Sequence, residues 1–245
     1  MTADQCRQVA RRAVTVLRRA YGRQRCSARR PALEEMLLGI LRDGSSERMA
    51  AMALASITRS FVDWNEVRVS SACEIAAAMP RVDGAMEKAA VIRRILQKIY
   101  DLANELSLDF LKEKTPRDAA RLVSDVEGFP ESALARATLL SLGHEVLPLT
   151  PRVLTVCRRL GILDDSLDPS AMLNRMQKVL PRPAMFEFHW LLSQHANKVC
   201  LPAEPICSEC KMRSDCRAGR GRSSAAKASG GSSRAADKCK KRSGK

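Results

Sequence analysis

Four cysteines stand close together near the end of the chain, in CLPAEPICSECKMRSDC, and they constrain the fold more than any other feature. Cys200, Cys207, Cys210 and Cys216 are spaced C-x6-C-x2-C-x5-C. The loop between them has no apolar periodicity and cannot build a core of its own, so something must cross-link it. Four clustered thiols in a chain that otherwise reads as intracellular point to a metal rather than to disulfides. Thiolates are soft ligands, and four of them suit Zn²⁺ or an iron–sulfur cluster. Zinc sites usually pair two short C-x2-C knuckles, and here there is one. A [4Fe–4S] cube is larger and takes ligands from a longer irregular loop. The spacing therefore favours iron–sulfur, with zinc as the alternative. Cys6, Cys26, Cys73 and Cys157 are scattered and read as small buried apolar residues.

The body around this loop reads as helical. The chain has 245 residues, enough for one large domain or two small ones, and is 45% hydrophobic with only 4% aromatics. Ala, Leu, Met and Arg, all good helix formers, abound. No apolar run approaches the roughly 20 residues of a membrane span. The Arg-rich, amphipathic start serves equally as an organelle leader or as a first helix.

Charge is placed unevenly. The formal net charge is +15, with +8 in residues 1–30 and +9 in residues 217–245, leaving −2 for residues 31–216. Basic ends suit a phosphate backbone or another polyanion, or simply a solvated helix face and tail. The tail, 217–245, is rich in Gly, Ser, Ala, Lys and Arg and is expected to be disordered, with Cys239 an exposed thiol.

Amphipathic periodicity predicts successive helices. CRQVARRAVTVLRRAYG places Val9, Val14, Val16 and Leu17 inside and its arginines outside. PALEEMLLGILRD, ERMAAMALASITRSF, SSACEIAAAM, EKAAVIRRILQKIYDLANEL, TPRDAARLVSDV and ESALARATLLSLG follow. TPRVLTVCRRLG, PSAMLNRMQKVL and AMFEFHWLLSQHANK complete the set. Thr115-Pro116 and Ser132 read as helix starts, and Gly143 as a C-terminal stop.

The cysteine spacing, preceded by His189-Trp190 and His195, resembles the cluster loop of endonuclease-III-type DNA glycosylases. A second likeness lies upstream. VEGFPESALARATLLSLGHEVLPLTPRVLTVCRRLG follows the family's helix–hairpin–helix and the helix after it without a gap, from Gly128 through Gly143 to Gly161. The resemblance covers about residues 30–216 and implies an all-α fold of two helical domains. One is a helical barrel with the hairpin, at 33–145. The other is a [4Fe–4S] domain made from 1–32 and 146–216, with a DNA-binding cleft between the two.

The same resemblance places the family's chemistry on this chain. The Schiff-base lysine of bifunctional members falls on Ser132, whose hydroxyl cannot form a Schiff base. The family's carboxylate before the helix ending in RLG falls on Thr150, which keeps a helix-capping role and drops the charge. The Glu of the adenine-excising branch falls on Met36. Glu35 and Asp43 are weak alternative acids, and Glu34 and Glu35 also read as first-turn carboxylates that favour the helix dipole. The second hairpin Gly falls on Pro130, which has no N–H, and Glu127 and Glu131 flank the turn. The strand-wedging Gln falls on Leu41.

What the resemblance implies is therefore a scaffold that keeps the fold and the four cluster ligands without the usual catalytic Lys and Asp. Expected DNA contacts are Gly128, Phe129, Arg152, Arg158, Arg159 and Lys198, with Lys211 and Arg213 beside the loop. His189 and His195 are expected to pack beside the loop rather than ligate iron. The expected partners are double-stranded DNA, damaged or bent, and repair proteins. The chain is expected to be monomeric and cytoplasmic. Two alternatives stand: a monofunctional glycosylase with rearranged acids, and a cluster-based redox sensor.

Overall fold

A computed structural model describes residues 1–23, 30–79, 81–144, 146–181 and 184–220. They are helical, with no strand among them. Cys26, Cys239 and most of the basic tail lie outside the described residues. No helix among the described residues is long and apolar enough to cross a membrane. The chain divides into two compact units.

The first unit takes Met1–Arg23, Pro151–Leu180 and Leu191–Lys245. It holds α1 (Ala3–Tyr21), α9 (Pro151–Leu160), α10 (Pro169–Val179) and the second half of α11 (Met185–Lys198). Thr2 opens α1 with a capping box, its side chain accepting from the Gln5 backbone N–H while the Gln5 side chain returns to the Thr2 backbone. The buried face of α1 is Cys6, Ala10, Ala13 and Leu17. This corrects the predicted face: Leu17 is inside, but Val9, Val14 and Val16 are only half-buried. Small residues at a four-and-three spacing let α1 lie close to α10, which valines on that stripe would prevent. Asp168 caps α10 by accepting from the Ala171 N–H.

The second unit takes Gln24–Thr150 and Pro181–Trp190. It holds α2 (Ala32–Arg42), α3 (Glu47–Ser60), α4 (Trp64–Val69), α5 (Ala72–Ala77), α6 (Ala85–Ala103), α7 (Pro116–Val123) and α8 (Glu131–Ala137). One core joins them, centred on Met36, Leu37, Ile57, Ile92, Ile95 and Leu96, all at most 1% exposed. Residues 181–190 belong to this unit and include the first part of α11.

Helices α2 and α8 approach closely in the second unit. A Cβ on Gly39 of α2 would stand 2.7 Å from the Ala133 Cβ and 2.8 Å from its Cα. Only glycine fits there, and the pair brings α8, with Ser132 in its first turn, directly onto α2. Helix α8 then widens into a π turn at Thr138–Leu142 and ends at Gly143, whose φ is +77°.

Candidate cofactor loop and hairpin

The four-cysteine loop begins where α11 ends. Val199 N–H and Cys200 N–H both donate to the His195 carbonyl, at 3.0 and 2.8 Å, closing the helix and aiming the first cysteine. Ile206 N–H returns to the Val199 carbonyl at 2.8 Å, folding the Pro-containing segment back on itself. Cys216 N–H donates to the Met212 carbonyl at 2.8 Å. Met212, 1% exposed, is the loop's own apolar anchor. Cys200, Cys207, Cys210 and Cys216 line one cavity of about 50 Å³, and no carboxylate lines it with them. All four are free cysteines. Among the described residues no three His, Cys, Asp or Glu side chains converge as they would around one metal ion.

Arg159 of α9 reaches across the loop. Its guanidinium donates to the carbonyls of Cys200 (3.3 Å), Leu201 (2.7 Å) and Pro202 (2.5 Å), and lies 3.3 Å from Cys200 Sγ. Cys216 Sγ donates to the Arg159 carbonyl at 3.2 Å. His195 Nε2 is 3.5 Å from Cys210 Sγ, and its Nδ1 is 3.0 Å from the Tyr21 hydroxyl. Burial holds His195 neutral, with its pKa lowered to about 4. Burial also raises the thiol pKa values of Cys200 and Cys210, with Arg159 opposing the rise at Cys200. Tyr21 is pushed up by burial and by the neighbouring sulfurs of Cys210 and Cys200.

The basic residues named from the sequence have specific neighbours. Arg158 pairs with Asp165 at 2.7 Å. Arg152 donates to the Asn197 side-chain oxygen at 2.6 Å. Lys198 sits over the Tyr21 ring, 5.3 Å from its centroid. Lys211 is exposed and Arg213 half-buried. Arg159, as described, is engaged with the cysteine loop.

In the second unit, the turn between α7 and α8 is a hairpin. Thr115 caps α7 by accepting from the Asp118 N–H, with Pro116 in the first turn. Phe129 N–H donates to the Val126 carbonyl at 3.1 Å. Gly128 has a φ of +75°, a left-handed backbone that favours glycine, and a Cβ there would stand 3.1 Å from Val91 Cγ2. The Phe129 side chain packs against the core. Helix α6 meets the acidic turn: Arg94 donates to the Glu127 carbonyl at 2.9 Å, and Lys98 pairs with Asp125 at 2.7 Å. Pro130 stands at the cap position of α8, so Ser132 is a first-turn residue and not the cap. Thr150 immediately precedes α9.

Glu35 is buried, 4% exposed. Its carboxylate accepts from Arg136 Nε at 2.5 Å, and Arg30 lies 3.7 Å away. Arg136 Nη1 is 3.5 Å from Nε2 of His189. His189 therefore belongs to this buried group in the second unit, while His195 alone of the two packs beside the cysteines. Burial, then Arg136 and Arg42, lower the His189 pKa to about 3. Asp43 is exposed at the end of α2. Met36 and Leu41, at the two other positions the resemblance singled out, are fully buried core residues.

Neither Arg136 nor Tyr21 was marked by any motif; only their tertiary partners single them out.

No protein-family model matches the chain. The chain is 25% identical to Protein ROS1C of Oryza sativa subsp. japonica over 176 residues, 65% of this chain and 10% of that protein. It is 23% identical to endonuclease III of Sulfolobus acidocaldarius over 195 residues, covering 78% of this chain and 84% of that one. The chain spans only a tenth of ROS1C, and 58% of a second plant relative from Arabidopsis thaliana. The endonuclease III chain of a non-covalent endonuclease III–DNA complex superposes with a TM-score of 0.73 at 13% identity, covering 91% of this chain and 99% of that one.

Proposed function

Because this chain has the all-helical fold of the endonuclease III-like helix–hairpin–helix DNA glycosylase superfamily, we propose that it is a duplex-DNA-binding iron–sulfur protein of DNA repair. In this reading it does not excise bases or cleave strands by the lysine–aspartate route. The reading is carried by one pair of positions. Ser132 occupies the first turn after the hairpin and Thr150 the residue before α9, each offering a neutral hydroxyl. A hydroxyl cannot become an imine, and it cannot offset the positive charge that develops on the sugar as the glycosidic bond breaks.

The acids nearest to substitutes do not fill the gap. Glu35 is buried, and its carboxylate is taken up by Arg136. Asp43 is exposed and solvated at a helix end.

Cys200, Cys207, Cys210 and Cys216 are the residues that would hold a [4Fe–4S] cluster. They line one cavity free of carboxylates. Four thiolates from one irregular loop, with a single C-x2-C knuckle, would suit a [4Fe–4S] cluster, with zinc as the alternative. When bound, the cluster supplies a cross-link for the loop and a centre able to exchange one electron. DNA as the ligand is supported by the likeness to an endonuclease III chain in complex with DNA.

The test is base release. Cluster-loaded protein is incubated with duplexes carrying uracil, oxidised pyrimidines, 8-oxoguanine opposite adenine, and alkylated bases, and free base is detected by mass spectrometry. We expect duplex binding and no release above a blank. Release that disappears in a Glu35→Gln variant would overturn the proposal and make the chain a monofunctional glycosylase.

A further inference from the structure

Among the described residues, Arg159 and His195 both reach sulfurs of the cysteine set, and each also holds a second part of the loop. Arg159 is the first. Its guanidinium touches Cys200 Sγ and three successive backbone carbonyls. One residue of α9 thus holds the first cysteine and the segment that follows it. A planar fork with five donors can serve four acceptors at once, which a single ammonium cannot.

His195 is the second. Its carbonyl accepts from the Cys200 N–H, and its Nε2 faces Cys210 Sγ. A ligating sulfur is a thiolate and can only accept, so Nε2 must carry the proton. Nδ1 then has to accept, and the Tyr21 hydroxyl, 3.0 Å away, is its donor. Only this tautomer satisfies both contacts.

We propose that Arg159 and the Tyr21–His195 pair are positioning residues: they hydrogen-bond two of the four ligand sulfurs from outside, and so set how firmly the loop holds its group and at what potential that group is reduced. The inference rests on the [4Fe–4S] reading above. Reduction adds negative charge that spreads onto the sulfurs, and donors aimed at them stabilise the reduced form more than the oxidised one. Removing a donor therefore lowers the potential.

The experiment uses the full chain, reconstituted anaerobically. Iron and acid-labile sulfide are assayed, the midpoint potential is taken by spectroelectrochemical titration, and iron loss to a chelator is timed. Arg159→Gln is expected to show a more negative potential and iron loss about tenfold faster, the effect of one lost charge-assisted bond. Tyr21→Phe removes only the hydroxyl, and is expected to lower the potential by less at unchanged iron content. Arg158→Gln makes the same change of charge on the same helix, but that guanidinium faces Asp165; it should match the parent. Should Arg159→Gln take up no cluster, Tyr21→Phe decides the matter alone. Parent-like potential and iron loss in both Arg159→Gln and Tyr21→Phe, with iron and sulfide present, would overturn the inference and leave the cofactor reading intact. A parent chain that takes up zinc, or iron without sulfide, would overturn the cofactor reading itself.

Discussion

Arg136 Nε lies 2.5 Å from Glu35 Oε1, joining a half-buried guanidinium to a buried carboxylate 101 positions away in the chain. The pair ties α8 to α2. Removing one member strands the other's charge away from water. Arg136→Met is expected to cost about 3 kcal/mol of unfolding free energy. Adding Glu35→Gln should restore more than half of that loss, because the stranded charge is then gone. Urea titrations of the parent, the two single variants and the double variant measure both quantities. A single-variant loss below about 1 kcal/mol would show that the pair is effectively solvated.

His189 makes stability depend on pH. Its folded pKa is about 3, below the ordinary 6.5, with burial as the main cause. The unfolded chain therefore takes up a proton near pH 6.5 that the folded chain refuses until about pH 3. The contribution is fully present above pH 6.5 and is lost progressively as pH falls from there towards 3. By about pH 5 the loss should amount to about 2 kcal/mol. Urea midpoints for the parent should fall more steeply between about pH 7 and pH 5 than those for His189→Gln. Parallel slopes would refute the assignment.

Gly39 tests how closely α2 and α8 approach. A methyl group there meets the backbone and Cβ of Ala133 below 3 Å, and neither is the end of a flexible side chain. Gly39→Ala should destabilise by about 1–3 kcal/mol through overpacking, despite alanine's better helix propensity. Gly44→Ala meets no atom within 4 Å but has a φ of +67°. It should cost only about 1 kcal/mol for the left-handed backbone. Thermal melts of the two variants separate the causes.

Ser132 and Thr150 can be tested by restoring the missing groups. Ser132→Lys alone is expected to leave borohydride trapping on an abasic duplex at background, since Thr150 stays neutral. Ser132→Lys with Thr150→Asp should raise trapped complex by about two orders of magnitude over the single variant. The yield of covalent complex on a denaturing gel reads this directly. Strong trapping by Ser132→Lys alone would mean that another group already supplies the charge.

The helices, their caps and the cysteine loop were legible in the sequence because each depends on residues a few positions apart. Thr115-Pro116 opens α7 and Gly143 stops the turn after α8, as their types predict. The C-x6-C-x2-C-x5-C spacing announces soft ligands without reference to any partner. Even locally, the buried stripe of α1 was misjudged: valines looked like its core, and the helix turned its small residues inward because α10 lies close. The remaining features join residues that lie far apart in the chain. Glu35 reads as a first-turn carboxylate and Arg159 as a DNA contact, whereas the one faces Arg136 and the guanidinium of the other closes on Cys200. Tyr21 meets His195 across 174 positions. Local residue types determined which elements form and which ligands they offer. Which charged groups are buried, and whom each of them faces, was decided only when the helices packed, because burial and pairing are properties of that packing.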